Sequence, residues 1–374
     1  MKNLKMYDAV VIGGGHNGLV TAAYLARAGK KVAVLERRHV LGGCSNSEEL
    51  WPGYQVSTAA YVVSLLEPKI IADLRLRDYG LEILRRSPSS FTPLLDGRSL
   101  TLGPDMDECQ KQIAQFSKAD AENYPVYCEM LERVARQLEP LMQRTAPNPL
   151  PLPNSWRKKG LLSKIRNGQQ MWEIFQAFGE LGDDLPDALQ LLSGAARPLL
   201  ENWFESEVLR ATLGTDAIIG AFQSLSSAGS AYTLLHHVMG QTGGSRGVWG
   251  YVQGGMGALA NALAQACTDL HVDIFTEAEV CKILTSEGKV CGVALGNGRV
   301  IETAIVASTV DANLTFNRFL DEDDLPTGFR RAVGAIDYSS ASMKINLALA
   351  EAPKFSCVAS SGIGPHLYGT IHIG

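Results

Sequence analysis

The 374-residue chain lacks the cysteine spacing of a disulfide-stapled fold or a zinc site. Its seven cysteines are scattered along the sequence, and no two of them form a C-x-x-C motif. Long apolar runs are absent as well, because no stretch reaches the roughly 18 uncharged apolar residues that a membrane-spanning helix needs. The apolar run behind Lys2 and Lys5 is short and ends in three glycines, unlike a secretory signal peptide. These absences predict an intracellular, cytoplasmic protein.

Positive charge is also scarce. The chain has 34 Lys and Arg against 39 Asp and Glu, a net charge of −5, and its basic clusters, such as residues 157–159, are short. We therefore expect no nucleic-acid partner. The sequence shows no group of His, Cys, Asp and Glu at metal-ligand spacing, so no metal site is predicted. With 46% hydrophobic and 20% charged residues, the composition is that of an ordinary globular protein.

Glycine, in contrast, is concentrated near the amino terminus. The stretch YDAVVIGGGHNGLVTAAYLARAGKKVAVLERRHVLGGCSN runs from Tyr7 to Asn46. Residues 7–12 predict a buried parallel strand, the helix that follows is expected to stop at Gly29, and residues 31–35 predict a second strand. This βαβ unit of about 30 residues is the context in which a G-x-G-x-x-G motif binds a dinucleotide.

Each glycine of the motif has a physical role in such a unit. Gly13 permits the tight turn after the strand, Gly15 lets the backbone approach a pyrophosphate, and Gly18 lets the helix pack closely on the strand. The N-terminus of the helix offers N–H groups and a partial positive charge to the phosphates. Glu36, at the end of the second strand, is expected to accept a hydrogen bond from a ribose hydroxyl, and its charge disfavours NADP. These residues leave the choice between FAD and NAD open.

The residues after the second strand carry a resemblance to a known family. Glu36-Arg37, followed by Gly42-Gly43, resembles the second FAD motif of the amine oxidase and phytoene desaturase superfamily of flavoproteins. The pair Gly42-Gly43 also supplies residues without a Cβ for a second close backbone approach to a long dinucleotide.

A later block agrees with this resemblance. The region from Gly250 to Thr309 is similar to the superfamily's return to the FAD domain, with a Gly-Gly-x-Gly helix entry and a strand around Val280 whose backbone would meet the adenine. The stretches STAAYVVSLLEPKIIADL and AYTLLHHVMGQTGGSRGVWGYVQGGMG resemble the phytoene dehydrogenase-like proteins within it. The resemblance covers essentially the whole chain.

The resemblance implies one nucleotide per chain, and that nucleotide is FAD. A flavin disulfide reductase is not predicted, because Glu49 stands where a C-x-x-x-x-C partner of Cys44 would be required. The predicted FAD site consists of Ile12, Gly13, Gly14, Gly15, His16, Asn17, Gly18, Glu36, Arg37, Gly42, Gly43, Cys44, Ser45 and Val280.

The predicted fold class is α/β. Residues 1–65 and 250–310 are expected to form a discontinuous, Rossmann-like FAD-binding domain. Residues 66–249 and 311–374 are expected to form a largely helical substrate or cap domain with some additional β-strands, because helical patterns dominate from about residue 106 to residue 244.

The sequence contains no nucleophile triad, zinc motif or paired-carboxylate signature. This suits flavin chemistry, in which the isoalloxazine ring takes the hydride and the protein supplies orientation and electrostatics. The weak catalytic candidates are His236, His237, Arg246 and Tyr251. Adjacent histidines on a helix point to different faces, so at most one of the two is expected to face a ligand.

The resemblance implies an FAD-dependent oxidoreductase of the phytoene desaturase-like type, which removes hydride from, or isomerises, an apolar small molecule. A non-catalytic flavin-binding or interaction protein and an NAD-linked dehydrogenase are the alternatives. Apolar residues at helical spacing, such as Trp172 and Phe175, predict a packed core, with a groove for substrate, a peripheral membrane or a protein partner as the other interpretation. For a eukaryotic chain the resemblance implies the mitochondrial matrix. Because superfamily members continue beyond the point that matches Gly374, we expect this chain to be a fragment.

Overall fold

The structure, a computed structural model, describes residues 6–142, 144–148, 160–340, 342–359 and 362–373. The chain divides into two compact units. The first comprises Met1–Arg85, Gly250–Ser339 and Lys344–Ala348, and the second comprises Arg86–Trp249, Ser340–Met343 and Leu349–Gly374.

The described strands are, in chain order, β1 (Ala9–Ile12), β2 (Val32–Leu35), β3 (Ser47–Trp51), β4 (Tyr54–Ser57), β5 (Ile83–Arg85), β6 (Ser90–Pro93), β7 (Ser99–Leu102), β8 (Gln241–Thr242), β9 (Ser245–Arg246), β10 (Gly250–Val252), β11 (Asp273–Phe275), β12 (Val280–Ser286), β13 (Lys289–Leu295), β14 (Val300–Glu302), β15 (Val306–Ser308) and β16 (Thr370–Ile371). The described α-helices are α1 (His16–Arg27), α2 (Pro68–Asp73), α3 (Met106–Ala114), α4 (Lys118–Met142), α5 (Leu161–Glu180), α6 (Leu185–Ser193), α7 (Ala196–Trp203), α8 (Glu207–Gly214), α9 (Ser230–Met239), α10 (Met256–Asp269) and α11 (Thr327–Gly334).

A parallel sheet of four strands organises the first unit, in the order β11-β2-β1-β15. In the centre of the sheet, Val10 of β1 pairs with Ala33 of β2 on one side and with Val306 of β15 on the other. Every residue of β1 and β2 is buried, which explains why both strands are uninterrupted apolar runs. With α1 as the crossover between β1 and β2, the sheet is Rossmann-like, and the predicted α/β fold class is confirmed.

Two helices, α1 and α10, pack together against this sheet. Small side chains such as Ala22 and Ala23 let α1 approach closely, and both are fully buried. The core that they share includes Val11, Leu19, Val34, Leu259, Leu263 and Ala266. The Gly-Gly-x-Gly segment before α10 is therefore a helix entry, as the sequence predicts.

Residues 66–85 belong to the first unit, so their assignment to the cap domain is wrong. β5 pairs antiparallel with β10, with Leu84 opposite Tyr251. Leu74, Leu76 and Leu81 are buried in the core beneath α1 and α10. The pairing joins segments far apart in sequence, and local periodicity carries no information about it.

Residues 311–339 also belong to the first unit, and the predicted boundary at residue 310 is wrong. β12, β13 and β14 form an antiparallel sheet, and the backbone N–H of Ile283 in β12 donates to the carbonyl of Phe319 at 2.7 Å. The Thr315 hydroxyl lies 2.7 Å from that of Ser308 at the end of β15. These contacts tie the chain after residue 310 to the sheets that precede it.

The second unit is largely helical, and helices α3 to α9 surround its main core. The largest fully buried side chains there are Tyr127, Leu100, Ile113, Met130, Leu191, Leu199, Leu200 and Phe204. A smaller sheet of β16, β6 and β7 completes this unit. The predicted terminal strand is reduced to β16, whose Thr370 pairs in parallel with Ser90. Among the described residues, no helix is both long enough and apolar enough to cross a membrane.

Candidate FAD site

The site begins where β1 ends and α1 starts. Gly13 has a φ of +101°, which bends the chain sharply after the strand and which side chains rarely adopt. A Cβ on Gly18, in the first turn of α1, would lie 1.9 Å from the carbonyl oxygen of Gly13. Gly18 is therefore required by helix-to-strand packing, the role that the sequence motif predicts for it.

A second glycine segment lies against the first. The Gly42 N–H donates to the carbonyl of Gly14 at 2.8 Å, and a Cβ on Gly43 would lie 3.2 Å from the Cα of Gly15. Gly42 and Gly43 have φ values of +106° and +57°. The two segments together form a backbone surface without side chains at the N-terminus of α1, which we call the glycine surface (residues 13–15 and 42–43).

The glycine surface has the electrostatics of a phosphate site. Gly15 is the N-cap of α1 and has no side chain to accept from the first helical N–H groups. The first turn of α1 contains no acidic residue that would compete with an anion. A diphosphate can therefore accept from N–H groups that the chain itself leaves without a cap.

Glu36, at the end of β2, is buried and held in place by backbone groups. One carboxylate oxygen accepts from the Gly14 N–H at 2.8 Å, and the other accepts from the Arg38 N–H at 2.9 Å. Its backbone carbonyl accepts from the Ala278 N–H at 2.8 Å. An ionised carboxylate has about four lone-pair sites, so a ribose hydroxyl can still be accommodated. The sequence predicts a ribose partner at Glu36, and the structure adds that this residue also fixes the turn.

His16 and Ser45 connect the two glycine segments. The His16 Nδ1 lies 3.2 Å from the Ser45 hydroxyl, and Ser45 is buried. Burial lowers the pKa of His16, and a hydrogen bond with the Gly42 backbone opposes this shift. Asn17, Arg37 and Cys44 are exposed, and Ile12 is buried in β1.

The structure places the remaining predicted contact, Val280, beside the same edge. Val280 begins β12 and is buried, two residues after Ala278, whose N–H donates to the Glu36 carbonyl. Thirteen of the fourteen predicted residues are thus in or beside the β1-α1 turn, the end of β2 or the loop after it, and Val280 is the one from the later block.

The four catalytic candidates are divided between the two units. Tyr251 lies in β10 of the first unit, whereas the other three lie in the second. Arg246 is half-buried and forms ion pairs with Glu132, at 3.2 Å, and with Glu139, both on α4. This arrangement neutralises the Arg246 charge and gives it a role in holding β9 to α4.

The two histidines differ in their surroundings. The Nδ1 of His237 donates to the backbone carbonyl of Asp216 at 2.7 Å, and its ring lies 5.1 Å from that of Trp249. The Nδ1 of His236 is buried and has no hydrogen-bond partner among the described residues. Burial and the neighbouring His237 lower the pKa of His236, which favours the neutral ring at neutral pH. His236 is the histidine with hydrogen-bonding capacity to spare.

Sequence reasoning missed three hydroxyl residues around the site. The Thr309 hydroxyl donates to the carbonyl of Ile12 at 3.0 Å and closes the turn after β1. At the start of α10, the Ser57 hydroxyl accepts from the Met256 N–H and the Ser47 hydroxyl accepts from the Gly257 N–H, each at 3.0 Å. Thr309 directly follows β15, so its position at the carboxyl edge of the sheet was a usable signal. Nothing local marks the two serines, which lie about 200 residues from the helix that they cap.

The chain matches one known family over most of its length. The family of flavin containing amine oxidoreductases matches residues 18–354. The chain belongs to that family. Its members contain a flavin. The glycine surface, the uncapped N-terminus of α1 and Glu36 fit the pyrophosphate and ribose of the flavin dinucleotide FAD. FAD is therefore the cofactor of this chain, and the NAD alternative is set aside. Among the described residues, no group of three or more His, Cys, Asp and Glu side chains could hold a metal ion.

Relatives and solved structures agree with the family. The chain is 43% identical over 363 residues to pyridine nucleotide-disulfide oxidoreductase domain-containing protein 2 of Rattus norvegicus, covering 95% of the chain and 62% of the relative. It is 26% identical over 334 residues to phytoene desaturase (lycopene-forming) of Pseudescherichia vulneris, covering 87% of the chain and 60% of the relative. The structure of wild-type putrescine oxidase bound to putrescine superposes with a TM-score of 0.54 at 19% identity, covering 88% of this chain and 63% of that one, and shows the shared fold. The chain thus spans 62% of the length of the rat relative.

Proposed function

We propose that this protein is an oxidoreductase that uses FAD to remove hydride from, or to isomerise, an apolar small molecule. One observation carries the proposal: the glycine surface, the N-terminus of α1 and the buried Glu36 converge at the carboxyl edge of a parallel sheet, where such sheets bind dinucleotides. FAD, when bound, supplies a ring that accepts a hydride.

The chain's own residues divide into three binding roles. The backbones of Gly15 and Gly43 and the first N–H groups of α1 hold the pyrophosphate, since no Cβ obstructs that surface. Glu36 accepts from the adenosine ribose while its bonds to Gly14 and Arg38 keep the carboxylate oriented. The backbone at Val280 meets the adenine.

An apolar substrate is supported by one of the relatives. The phytoene desaturase among the relatives is named for a hydrocarbon, which offers an enzyme no ionisable group.

Among the four candidates, His236 is the residue proposed to hold or move a proton, since its buried Nδ1 has no partner in the part of the chain that the structure describes. Arg246 is excluded from this role, because its charge is already paired with two carboxylates.

We place this reaction in a reducing compartment inside the cell. All seven cysteines are free, and Cys109 and Cys267 are buried as thiols. Burial raises the pKa of Cys267 to about 12, so that thiol stays protonated and inert. Proteins of oxidising compartments usually pair such residues.

Anaerobic reduction of the bound flavin tests the proposal. The chain is reconstituted with FAD and mixed with an apolar polyene, and loss of the oxidised-flavin absorbance is followed against a saturated hydrocarbon of equal length. Reduction, or a shift in the polyene spectrum that needs FAD, supports the proposal. A flavin that is bound but unreduced by any polyene or amine donor would instead favour the non-catalytic flavin-binding alternative.

The proposed proton role of His236 has its own control. His236→Asn is expected to slow flavin reduction without lowering FAD content, whereas His271→Asn, which changes an exposed histidine of the first unit, leaves both unchanged. Equal reduction rates in the two variants would remove His236 from the reaction.

A further inference from the structure

A layer of polar side chains lies inside the second unit, between strands β6 and β16 and the chain at the end of α8. The Thr92 hydroxyl of β6 lies 2.9 Å from the Thr212 hydroxyl of α8. Thr370 of β16 pairs in parallel with Ser90 of β6, so the two side chains share one face of the sheet. Ser90 is buried, and its hydroxyl has no hydrogen-bond partner among the described residues. The layer therefore has hydrogen-bonding capacity that it does not use internally.

Arg86 brings a positive charge to this layer. Its backbone N–H donates to the carbonyl of Trp249 at 2.9 Å, and its Nη1 donates to the Thr370 hydroxyl at 2.7 Å. The guanidinium carbon lies 5.3 Å from the centre of the Trp249 ring, in a cation–π contact. Arg86, Trp249 and Thr370 are all half-buried, so this part of the layer is partly open to solvent.

The charge of Arg86 is not paired with a carboxylate. Arg86 forms no ion pair within the described part of the chain, whereas Arg246 of the same unit is paired with Glu132 and Glu139. The Nε of Arg86 is buried and has no acceptor there. A buried donor without an acceptor is unfavourable, and a charged donor more so than a neutral one. The guanidinium therefore has both charge and N–H groups available to an anion.

The titratable groups around Arg86 do not supply the missing negative charge. Burial raises the pKa of the Asp216 carboxyl, and His237 and Arg86 oppose that shift. Burial and the charge of Arg86 lower the pKa of His372, whose Nδ1 lies 3.0 Å from the Thr215 hydroxyl. The His372 ring is therefore neutral at neutral pH, and the charge on Asp216 is disfavoured. Neither group fully compensates the guanidinium.

A row of ring contacts connects Arg86 to His236, the residue proposed to hold or move a proton. The Trp249 ring that Arg86 covers lies 5.1 Å from the His237 ring, and the His237 ring lies 6.0 Å from the His236 ring. All four residues belong to the second unit. A ligand at Arg86 would therefore bind in the same part of the unit as the proposed proton-transfer residue.

The chemistry of this cluster fits a carboxylate better than a phosphate. A guanidinium presents its N–H groups as a fork that matches the two oxygens of a carboxylate. Thr370 and Ser90 add hydroxyl donors beside it. One cation next to an acidic residue, Asp216, suits a ligand with a single negative charge, whereas a phosphate monoester brings nearly two.

We propose that Arg86 and Thr370 bind the carboxylate of a substrate whose remaining part is apolar. The inference rests on the proposed function for the apolar part and adds an acidic end group, so the substrate class is that of apolar carboxylic acids. An ion pair at one end would fix the position of a long apolar molecule, which otherwise offers the protein no polar group to hold.

Equilibrium dialysis of the full chain, loaded with FAD, tests the proposal. The two probes are all-trans-retinoic acid, a polyene with one carboxylate, and methyl retinoate, the same polyene without the charge. We expect the Kd of the acid to be about tenfold to a hundredfold lower than that of the ester, as one charge-assisted hydrogen bond provides. Both probes share the apolar part, so the ratio of the two Kd values reports the carboxylate alone.

Variants of two neighbouring arginines locate the preference. Arg86→Gln should abolish the preference for the acid and leave the Kd of the ester unchanged. Arg86→Lys keeps the charge but loses the fork, so it should retain part of the preference. The control, Arg85→Gln, removes the exposed arginine next in sequence, which belongs to the first unit, and should behave as the parent does. A misfolded variant would lose both ligands, so retained binding of the ester shows that each variant is folded.

Three results would overturn the proposal. The parent could bind the acid no more tightly than the ester, or the preference could persist in Arg86→Gln. Inorganic phosphate could displace retinoic acid with a similar Kd, which would make the cluster a site for a free anion.

These results are separable from failure of the proposed function, because dialysis needs no turnover. An Arg86-dependent preference with a flavin that stays oxidised would support the carboxylate site and reject the oxidoreductase. Flavin reduction with no preference for the acid would do the reverse.

Discussion

Gly15→Ala separates cofactor binding from folding, because we expect it to stabilise the folded chain and to weaken FAD binding. A Cβ on Gly15 would have the Cα of Gly43 as its nearest neighbour, at 3.8 Å, which is ordinary contact. The backbone there has a φ of −70° and a ψ of 170°, which alanine adopts without strain. The substitution should therefore stabilise the chain without FAD by about 0.4–1 kcal/mol, through the unfolded state, or roughly 1–4 °C in melting temperature.

The same methyl group should weaken FAD binding. It would occupy the glycine surface where a phosphate must approach the N–H groups of α1. Loss of one charge-assisted hydrogen bond, worth about 1.5–3 kcal/mol, corresponds to a rise in Kd of about tenfold to a hundredfold. Titration of the FAD-free chain with FAD, followed by flavin fluorescence, gives the Kd, and scanning calorimetry gives the stability.

Gly328→Ala is the control for this experiment. Its added Cβ meets no atom within 4 Å, and it lies in α11 of the same unit, outside the glycine surface. An unchanged Kd in Gly15→Ala would show that the pyrophosphate does not contact this turn. A large loss of stability there, with the control unaffected, would mean that the turn is packed more tightly than the structure shows.

Four further predictions address packing, charge and titration. Gly18→Ala should destabilise the FAD-free chain by about 3 kcal/mol, seen as a lower melting temperature, because its Cβ would lie 1.9 Å from a backbone oxygen. Arg246→Ala should lower the free energy of unfolding by about 2 kcal/mol, because Glu139 is left partly buried without its ion-pair partner. The Kd for FAD should not change. A normal melting temperature with lost turnover would restore Arg246 as a catalytic residue. Cys44→Ser should leave flavin reduction by dithiols unchanged, and a loss confined to that variant would revive a disulfide reductase. The pKa of His236 is lowered in the folded state, so below about pH 6.5 the unfolded chain binds the proton more readily and the stability of the folded chain falls. His236→Gln should therefore flatten the decline in melting temperature between about pH 7 and about pH 5.

The sequence predicts well those parts of the fold that depend on the pattern of neighbouring residues. The stretch from β1 to β2 combines two apolar runs, a helix and glycines at fixed spacing, and its elements differ from the expected ones by only one or two residues at their ends. The Gly-Gly-x-Gly segment was equally readable as the start of α10. In each case the neighbouring residues alone determine the structure.

What the sequence could not predict depends on contacts between distant segments. The pairing of β5 with β10 ties residues 66–85 to the first unit. The hydrogen bonds of Ile283 and Ser308 tie residues 311–339 to the same unit. Arg246 was a candidate because it precedes the return to the FAD domain in sequence, but its charge is paired with carboxylates on a helix more than a hundred residues earlier. Position in the chain was a poor guide to what this side chain faces.

Identification of the nucleotide that the chain holds tests the central claim most directly. The purified protein is incubated with FAD and with NAD together, freed of unbound ligand and denatured, and the released nucleotide is separated and quantified against the protein concentration. We expect FAD alone, close to one molecule per chain for the parent and a much smaller amount for Gly15→Ala. Release of NAD, or equal FAD from the parent and from Gly15→Ala, would contradict that claim.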